Sequence, residues 1–361
     1  MAVVGSFMRR LGSTIRDIGW SKGLGGWHSP RMAAAERAIL ERVPMVDLLV
    51  EVRDARIPLA SAFEPVRHLF HYDKHVIVLN KVDLADSSLT EEHHICLAVN
   101  SHNHNSIKQL LNVVKKKAKD LKVGKINDTA TILLVGIPNV GKSAIANSLH
   151  LLGRIDALEK GKLKHATVSP VPGETTDIRG YKIASHPNIY VFDTPGVLPA
   201  EIADEESGSK LALTGAINDS LIGEYNLARL LLAVLSSSNV YKCWEKFSTD
   251  DRMPSNLRRR RQFSSDHTQD FIVWDVRQTL LKIISSFQLH SEKEEEMEGL
   301  IECEFNALCE AFRISILSED RYNVVASKLL NLYRTGRLGR YTLDPIPEIL
   351  VFHSHQEHED G

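Results

Sequence analysis

The chain has no apolar run approaching the roughly 18 to 20 residues needed to cross a bilayer. Its best stretches, Thr131 to Ile137 and Leu227 to Leu235, have the length of a core strand or a core helix. No membrane span is expected, and the chain reads as soluble. Cysteine is scarce: Cys96, Cys243, Cys303 and Cys309 show neither CxxC spacing nor the density of a disulfide scaffold. That argues against a zinc or redox role and for free thiols in a reducing compartment. Neither sign of charge is in excess, with 44 Lys plus Arg against 46 Asp plus Glu. No global basic field draws in nucleic acid, so any such contact has to be local. Aromatics make up 6% of the chain, hydrophobic residues 43% and charged residues 25%, the balance of an ordinary globular protein. At about 100 to 200 residues per domain, 361 residues predict two domains, or one large domain with an appendage.

Residues 1–26 carry Arg9, Arg10, Arg16 and Lys22 against the single acid Asp17, with Phe7, Leu11, Ile15 and Ile18 at helical spacing. This is the make-up of an organelle transit peptide, and it lacks the continuous apolar stretch of a secretory signal. From residue 46 to about 193, short β-branched apolar runs alternate with helix-like segments. The runs are Val46 to Val52, His75 to Leu79, Ile95 to Val99, Thr131 to Val135, Gly180 to Ala184 and Ile189 to Phe192, the rhythm of a parallel sheet with helices on both faces. After Gly196 the pattern becomes helical, over 209–235, 271–290, 300–317 and 322–333. The expected organisation is therefore a domain over 27–200, an all-helical C-terminal domain over 201–340 and a tail over 341–361. Residues 236–270, with the run Arg258 to Arg261, and the acidic stretch 291–298 read as solvated or disordered linkers.

Gly136-Ile-Pro-Asn-Val-Gly141-Lys142-Ser143 follows an apolar run and precedes the helix-like Ala144 to Leu152. It matches the phosphate loop GxxxxGK(S/T) in the strand-before, helix-after context that such a loop needs. The glycines let backbone N–H groups turn inward from Asn139, Val140, Gly141 and Ala144 to hold phosphates. Lys142 reaches the β- and γ-phosphates, and the Ser143 hydroxyl ligates Mg²⁺. Asn80-Lys81-Val82-Asp83 closes a second apolar run and chooses the base. The Asp83 carboxylate accepts from the N1–H and N2 amino edge of guanine, which adenine cannot donate, while Asn80 braces the loops and the Lys81 stem covers the ring. Asp193-Thr194-Pro195-Gly196 places a carboxylate toward Mg²⁺ and a glycine N–H toward the γ-phosphate. In Pro172-Gly173-Glu174-Thr175-Thr176 a threonine hydroxyl completes the metal shell, with Thr175 preferred to Thr176. Asn100-Ser101-His102 takes the place of a base-contacting backbone loop.

The motifs run NKVD, the Ser101 loop, GIPNVGKS, PGETT and DTPG, a rotation of the usual small-GTPase order. With Asp54-Ala55-Arg56 after the first strand and Trp27 followed by Met32-Ala33-Ala34-Ala35, this order resembles the circularly permuted GTPases that assemble the large ribosomal subunit. Similarity is greatest to the mitochondrial branch, the ribosome-associated or DAR GTPases, and covers about residues 27 to 235. The resemblance implies a P-loop α/β fold, circularly permuted, followed by a helical domain. It implies a mitochondrial protein, monomeric off the ribosome, that hydrolyses GTP to GDP slowly by itself and acts on the large subunit and its rRNA.

Hydrolysis is where the chain departs from pattern. A water-positioning glutamine is absent after DTPG, where Val197 and Leu198 stand, as the family shows. The family's histidine before Met-Ala is replaced by Arg31 in Trp27-His28-Ser29-Pro30-Arg31-Met32. Arg31 either contacts the γ-phosphate as an internal arginine finger or faces solvent, and His28 is an alternative stand-in. Asn139 matches the asparagine that in similar GTPases helps seat K⁺. Lys115, Lys116, Lys117, Lys119, Lys122 and Lys125, and Lys160, Lys162, Lys164 and His165, are either solvated faces or rRNA contacts. Two rival functions stay open: a GTP-binding placeholder that scarcely hydrolyses, and a GTPase of tRNA modification or signalling without a ribosomal partner.

Overall fold

The computed structural model of the chain describes residues 2–21, 29–66, 74–86, 96–122, 129–159, 178–185, 187–199, 202, 204–244, 267–287, 294–315 and 318–344. Trp27, His28, the PGETT loop with Thr175 and Thr176, Lys125, the 160–165 basic stretch, Arg258 to Arg261 and the tail beyond 344 lie outside the described residues. The chain divides into two compact units, Met1–Lys22 with Ile202–Tyr341, and Gly23–Glu201 with Thr342–Gly361.

The second of these is built on a six-stranded sheet. Its strands are β1 (Leu48–Asp54), β2 (His75–Asn80), β3 (Cys96–Val99), β4 (Thr129–Val135), β5 (Arg179–Ser185) and β6 (Asn188–Asp193), and each corresponds to an apolar run singled out above. The order is β3-β2-β1-β4-β6-β5, parallel throughout except that β5 runs antiparallel to β6. The central strands are apolar over their length because both faces are covered: Leu48, Leu49, Val50 and Val52 of β1 and Ile132, Leu133, Leu134 and Val135 of β4 are all buried. At their amino ends the Asp47 carboxylate accepts from the Thr131 N–H at 2.9 Å and its hydroxyl at 3.1 Å, which pins the register. From β1 the chain moves outward to β2 and β3, and from β4 it moves the other way, to β5 at the edge and back to β6 beside β4. The reversal between β1 and β4 makes the crevice beyond their carboxyl ends the ligand-binding position of such a sheet.

Helix α1 (Ala2–Ser21) belongs to the other unit; α2 (Pro30–Arg42) opens the sheet unit. The Ser29 Oγ caps α2 by accepting from the Met32 N–H at 3.2 Å, and Pro30 supplies a first-turn φ. Ile39 packs with Val43, Leu49, Leu133 and Val197. Helix α2 feeds the amino end of β1 through the short turn Val43–Met45. Helix α3 (His104–Lys122) buries Ile107, Leu110, Leu111, Val114 and Ala118 at three- and four-residue spacing and leaves Lys116 and Lys119 exposed. Helix α4 (Lys142–Glu159) starts where the loop after β4 ends.

The helical unit contains α1, α5 (Glu205–Leu213), α6 (Asp219–Ile222), α7 (Glu224–Ser237), α8 (Asp270–Ser286), α9 (Glu294–Ala311) and α10 (Arg321–Arg334). Two segments differ from their sequence reading, and the N-terminal segment has a packed face besides. The N-terminal segment read as a transit peptide forms α1, whose Phe7, Met8, Leu11 and Ile15 are buried within this unit, while Arg10 pairs with Glu294 at 2.8 Å. The acidic stretch is not a linker from Glu294 onward. Glu294, Glu295 and Glu296 occupy the first turn of α9, where the helix dipole favours carboxylates, and Met297 continues the buried face of Leu300, Ile301 and Phe305. Residues 236–244 are also ordered: Ser236 and Ser237 form the end of α7, and Trp244 is buried at the end of the 3₁₀ segment Asn239–Trp244.

One buried acid stands out. Glu304 on α9 is fully buried; its Oε1 accepts from the Ser236 Oγ at 2.9 Å, and its Oε2 has no hydrogen-bond partner among the described residues. Burial pushes its carboxyl up to about 8 against the opposing effect of the Ser236 hydroxyl. The folded state therefore keeps a proton that the unfolded chain releases above its ordinary value of 4.5, and stability falls as pH rises from there to about 8. Glu304→Gln keeps the acceptor and removes the ionisation. Thermal denaturation should show the variant melting higher than the parent near pH 8 and close to it near pH 5; equal midpoints near pH 8 would contradict a neutral Glu304.

Candidate guanine nucleotide site

The carboxyl edge of the sheet gathers the end of β1, the turn after β2, the loop after β3, the loop between β4 and α4, and the end of β6. Gly136 and Gly141 adopt φ of 149° and 96°, and Asn139 one of 61°. At Gly141 an added Cβ would collide with the Asn80 side-chain nitrogen, so the loop reaches its position only with glycine there. Among the described residues three non-glycines have positive φ, and two of them, Asn139 and Lys81, stand in this edge. Such backbone persists only where its surroundings hold it.

Asn80 is the holding group. Buried at the end of β2, it donates its amide to the Val140 carbonyl at 2.8 Å and accepts from the Ser101 N–H at 3.1 Å. One side chain thereby joins the NKVD turn, the phosphate loop and the Ser101 loop. The Ser101 carbonyl in turn accepts from the Ser148 hydroxyl on α4 at 3.0 Å. Asp83 lies in the turn beyond Lys81 with its side chain exposed.

Lys142 is buried at the start of α4, and its Nζ donates to the Gly136 and Ile137 carbonyls at 2.9 and 2.8 Å. Burial lowers its ammonium to about 8, partly offset by the charge of Asp193. The next residue, Ser143, donates its hydroxyl to Asp193 Oδ2 at 2.7 Å. Ala144 follows in the first helical turn. Asp193 ends β6, and Thr194 fastens that end to β4 through a 2.6 Å bond to the Leu134 carbonyl. A Cβ on Gly196 would stand 2.6 Å from the Pro138 Cα, so the DTPG turn lies directly against the phosphate loop. Val197 and Leu198 point into the core, fully buried. A hydroxyl and a carboxylate in contact form a hard oxygen pair that suits Mg²⁺, an ion that takes one or two protein ligands and keeps water and phosphate for the rest.

The edge thus brings together Asn80, Ser101, Val140, Gly141, Lys142, Ser143, Asp193 and Gly196. Asn139 is on the loop with its side chain exposed, and Arg31 is exposed in the first turn of α2. A further group had only its place in a motif to mark it. Asp54, at the end of β1, is buried and accepts from Arg56 Nε at 3.0 Å, from Arg56 Nη2 at 2.7 Å and from Lys81 Nζ at 2.9 Å. Burial pushes its carboxyl up, but the Arg56 hydrogen bonds and the Lys81 charge outweigh this and hold it at about 2. The signal was in the sequence: a charged DAR triplet directly after an apolar strand cannot be solvated on every side.

A family model described as 50S ribosome-binding GTPase matches residues 131–277, which begins at β4 and leaves NKVD ahead of the match. DAR GTPase 2, mitochondrial, of Arabidopsis thaliana is 49% identical over 340 residues, covering 89% of this chain and 90% of its own length. Short integuments 2, mitochondrial, of the same plant is 38% identical over 91% of both chains. Mitochondrial ribosome-associated GTPase 1 of Mus musculus is 28% identical over 88% of this chain and 89% of its own.

Asn80→Ala removes the brace and leaves the Val140 carbonyl and the Ser101 N–H buried without their partner. At about 1 to 3 kcal/mol for each such group, affinity for a fluorescent GDP analogue should fall by at least about tenfold. Unchanged affinity would show that the three loops hold together without Asn80.

Proposed function

The chain belongs to the circularly permuted GTPases that include DAR GTPase 2, and from that premise we propose that it binds and hydrolyses GTP as an assembly factor for the mitochondrial large ribosomal subunit. The observation that carries the nucleotide reading is Asn80, which ties the base-selecting turn to the phosphate loop. In this reading Asp83 and Lys81 take the guanine, the N–H groups of Asn139 to Ala144 take the phosphates, and Lys142 neutralises their charge. Its depressed ammonium regains full charge against phosphate. Ser143 and Asp193, with Thr175, would hold Mg²⁺, which supplies positive charge to the phosphates when bound. Gly196, packed on Pro138, turns its N–H toward the γ-phosphate and reports its presence to the segment that follows.

The ribosomal and mitochondrial parts of the proposal rest on the names of the relatives and of the family model. The exposed Lys116 and Lys119 of α3 supply a local basic face for rRNA. Arg9 and Arg10 on the amphipathic α1 fit a mitochondrial address, although the same helix has a buried structural face. Off the ribosome the protein is a monomer.

Since Val197 and Leu198 are buried, neither of them orients the attacking water. Hydrolysis is accordingly slow until the ribosome completes the site. Arg31 supplies the finger from the first turn of α2, and Asn139 helps seat K⁺.

Asp83→Asn should weaken GTP binding strongly and admit xanthosine triphosphate, whose C2 oxygen suits an amide donor. Large subunits should carry the protein down in sedimentation with a non-hydrolysable GTP analogue and release it with GDP. Equal GTP affinity in the variant would overturn the base assignment, and sedimentation indifferent to nucleotide would overturn the ribosomal one. Hydrolysis should slow when Na⁺ replaces K⁺ at constant ionic strength, and Arg31→Ala should lower the rate without subunits. Rates equal to the parent's in both tests remove the ion and the finger from the mechanism.

A further inference from the structure

The last described residues of the chain return to the sheet unit. Thr342, Leu343 and Asp344 follow Tyr341, the final residue of the helical unit, and belong with the sheet unit instead. All three contact loops at its carboxyl edge. The Thr342 hydroxyl accepts from the Asp86 N–H at 3.2 Å, three residues beyond Asp83. The Leu343 N–H donates to the Arg56 carbonyl at 2.8 Å. The Asp344 carboxylate is buried, and its Oδ2 accepts from the Leu59 and Ala60 N–H groups at 2.9 and 2.8 Å.

These contacts meet the groups that orient the base-selecting turn. Arg56, whose carbonyl receives Leu343, holds the Asp54 carboxylate with two nitrogens, and Asp54 holds the Lys81 ammonium. Lys81 sits at φ 63°, a conformation that a lysine keeps only when its side chain and neighbours are fixed. The loop after β1 and the turn after β2 come from adjacent strands, but beyond the ladder each has its own freedom. A three-residue strap bonded to both limits that freedom, and a buried carboxylate spent on two backbone donors is a strong anchor because charge-assisted bonds are about twice as strong as neutral ones.

We infer that Thr342, Leu343 and Asp344 are positioning residues for guanine nucleotide binding, holding Lys81 and the turn that bears Asp83 in their working geometry from outside the nucleotide motifs. The inference rests on the proposed role of Asp83 and Lys81. It requires that the strap act on the base and leave the phosphate loop alone, because the hydrogen bonds just given go to the loops after β1 and β2 and not to residues 136–144.

The test uses the full chain with two probes, GDP and inorganic tripolyphosphate, the latter engaging the phosphate loop without a base. Asp344→Ala should raise the GDP dissociation constant about tenfold, the scale of one lost charge-assisted hydrogen bond, chiefly through faster release, while tripolyphosphate affinity changes less than about twofold. Asp344→Asn, whose amide oxygen still accepts from both N–H groups, should recover most of the GDP affinity. Thr342→Val, which removes only a hydroxyl acceptor, is measured in parallel and should weaken GDP in the same direction, so that a poorly folding Asp344→Ala does not leave the matter open. Unchanged GDP binding in Asp344→Ala or, if that variant does not fold, in Thr342→Val overturns the inference, as does equal weakening of both probes. Asp83→Asn separates the two readings. If it abolishes GDP binding while the strap variants do nothing, the strap inference fails alone; if it too leaves GDP binding intact, the base assignment fails and the strap inference with it.

Discussion

A carboxylate taken out of water at the end of a central strand has to be answered by cations within reach, because an unpaired buried charge costs several kcal/mol. Asp54 is such a group, and Arg56 and Lys81 answer it. The constraint reaches beyond the pair. Arg56 follows β1, Lys81 follows β2, and the carbonyl of Arg56 is where the returning chain docks. One buried charge therefore fixes the mutual placement of segments far apart in sequence, and the base-selecting turn takes its position from that placement.

Asn80 does the neutral counterpart of this work. An amide both donates and accepts, so it can join one carbonyl and one N–H from a single buried position. It leaves room for nothing larger than glycine at position 141. The parts that would touch nucleotide are thus oriented by groups behind them, Asp54, Asn80 and Thr194, each holding backbone or a partner side chain and none of them drawn from the phosphate-loop motif. Positive φ at Lys81 and Asn139 is tolerated because those groups over-determine the loops.

In the helical unit a different balance operates. Burial pushes the Glu304 carboxyl up to about 8, and among the described residues Ser236 satisfies one of its oxygens only. Helix α1 contributes Phe7, Met8, Leu11 and Ile15 to the buried interior, and Arg10 reaches the acidic first turn of α9. An arginine-bearing amphipathic helix has the same composition whether it addresses an organelle or lies against a neighbouring helix, since both uses need one apolar stripe and one cationic face.

The strands and the phosphate loop were legible because their signals are local. A β-branched run buried on both faces announces itself residue by residue, and a glycine loop between strand and helix has one dominant use. The acidic turn at 294–296 was misread because charge density looks the same in a solvated linker and at a helix start, and only the burial of Met297 distinguishes them. By itself the sequence determined the strand set, the order of the nucleotide motifs and the chemical character of each loop, all properties of short windows. The tertiary structure alone decided that Asp54 answers Lys81, that Asn80 meets both Val140 and Ser101, that the N-terminal helix has a buried face, and that Thr342 to Asp344 return to the sheet. Those are pairings between residues distant along the chain, chosen by which buried polar groups find partners once the core has closed.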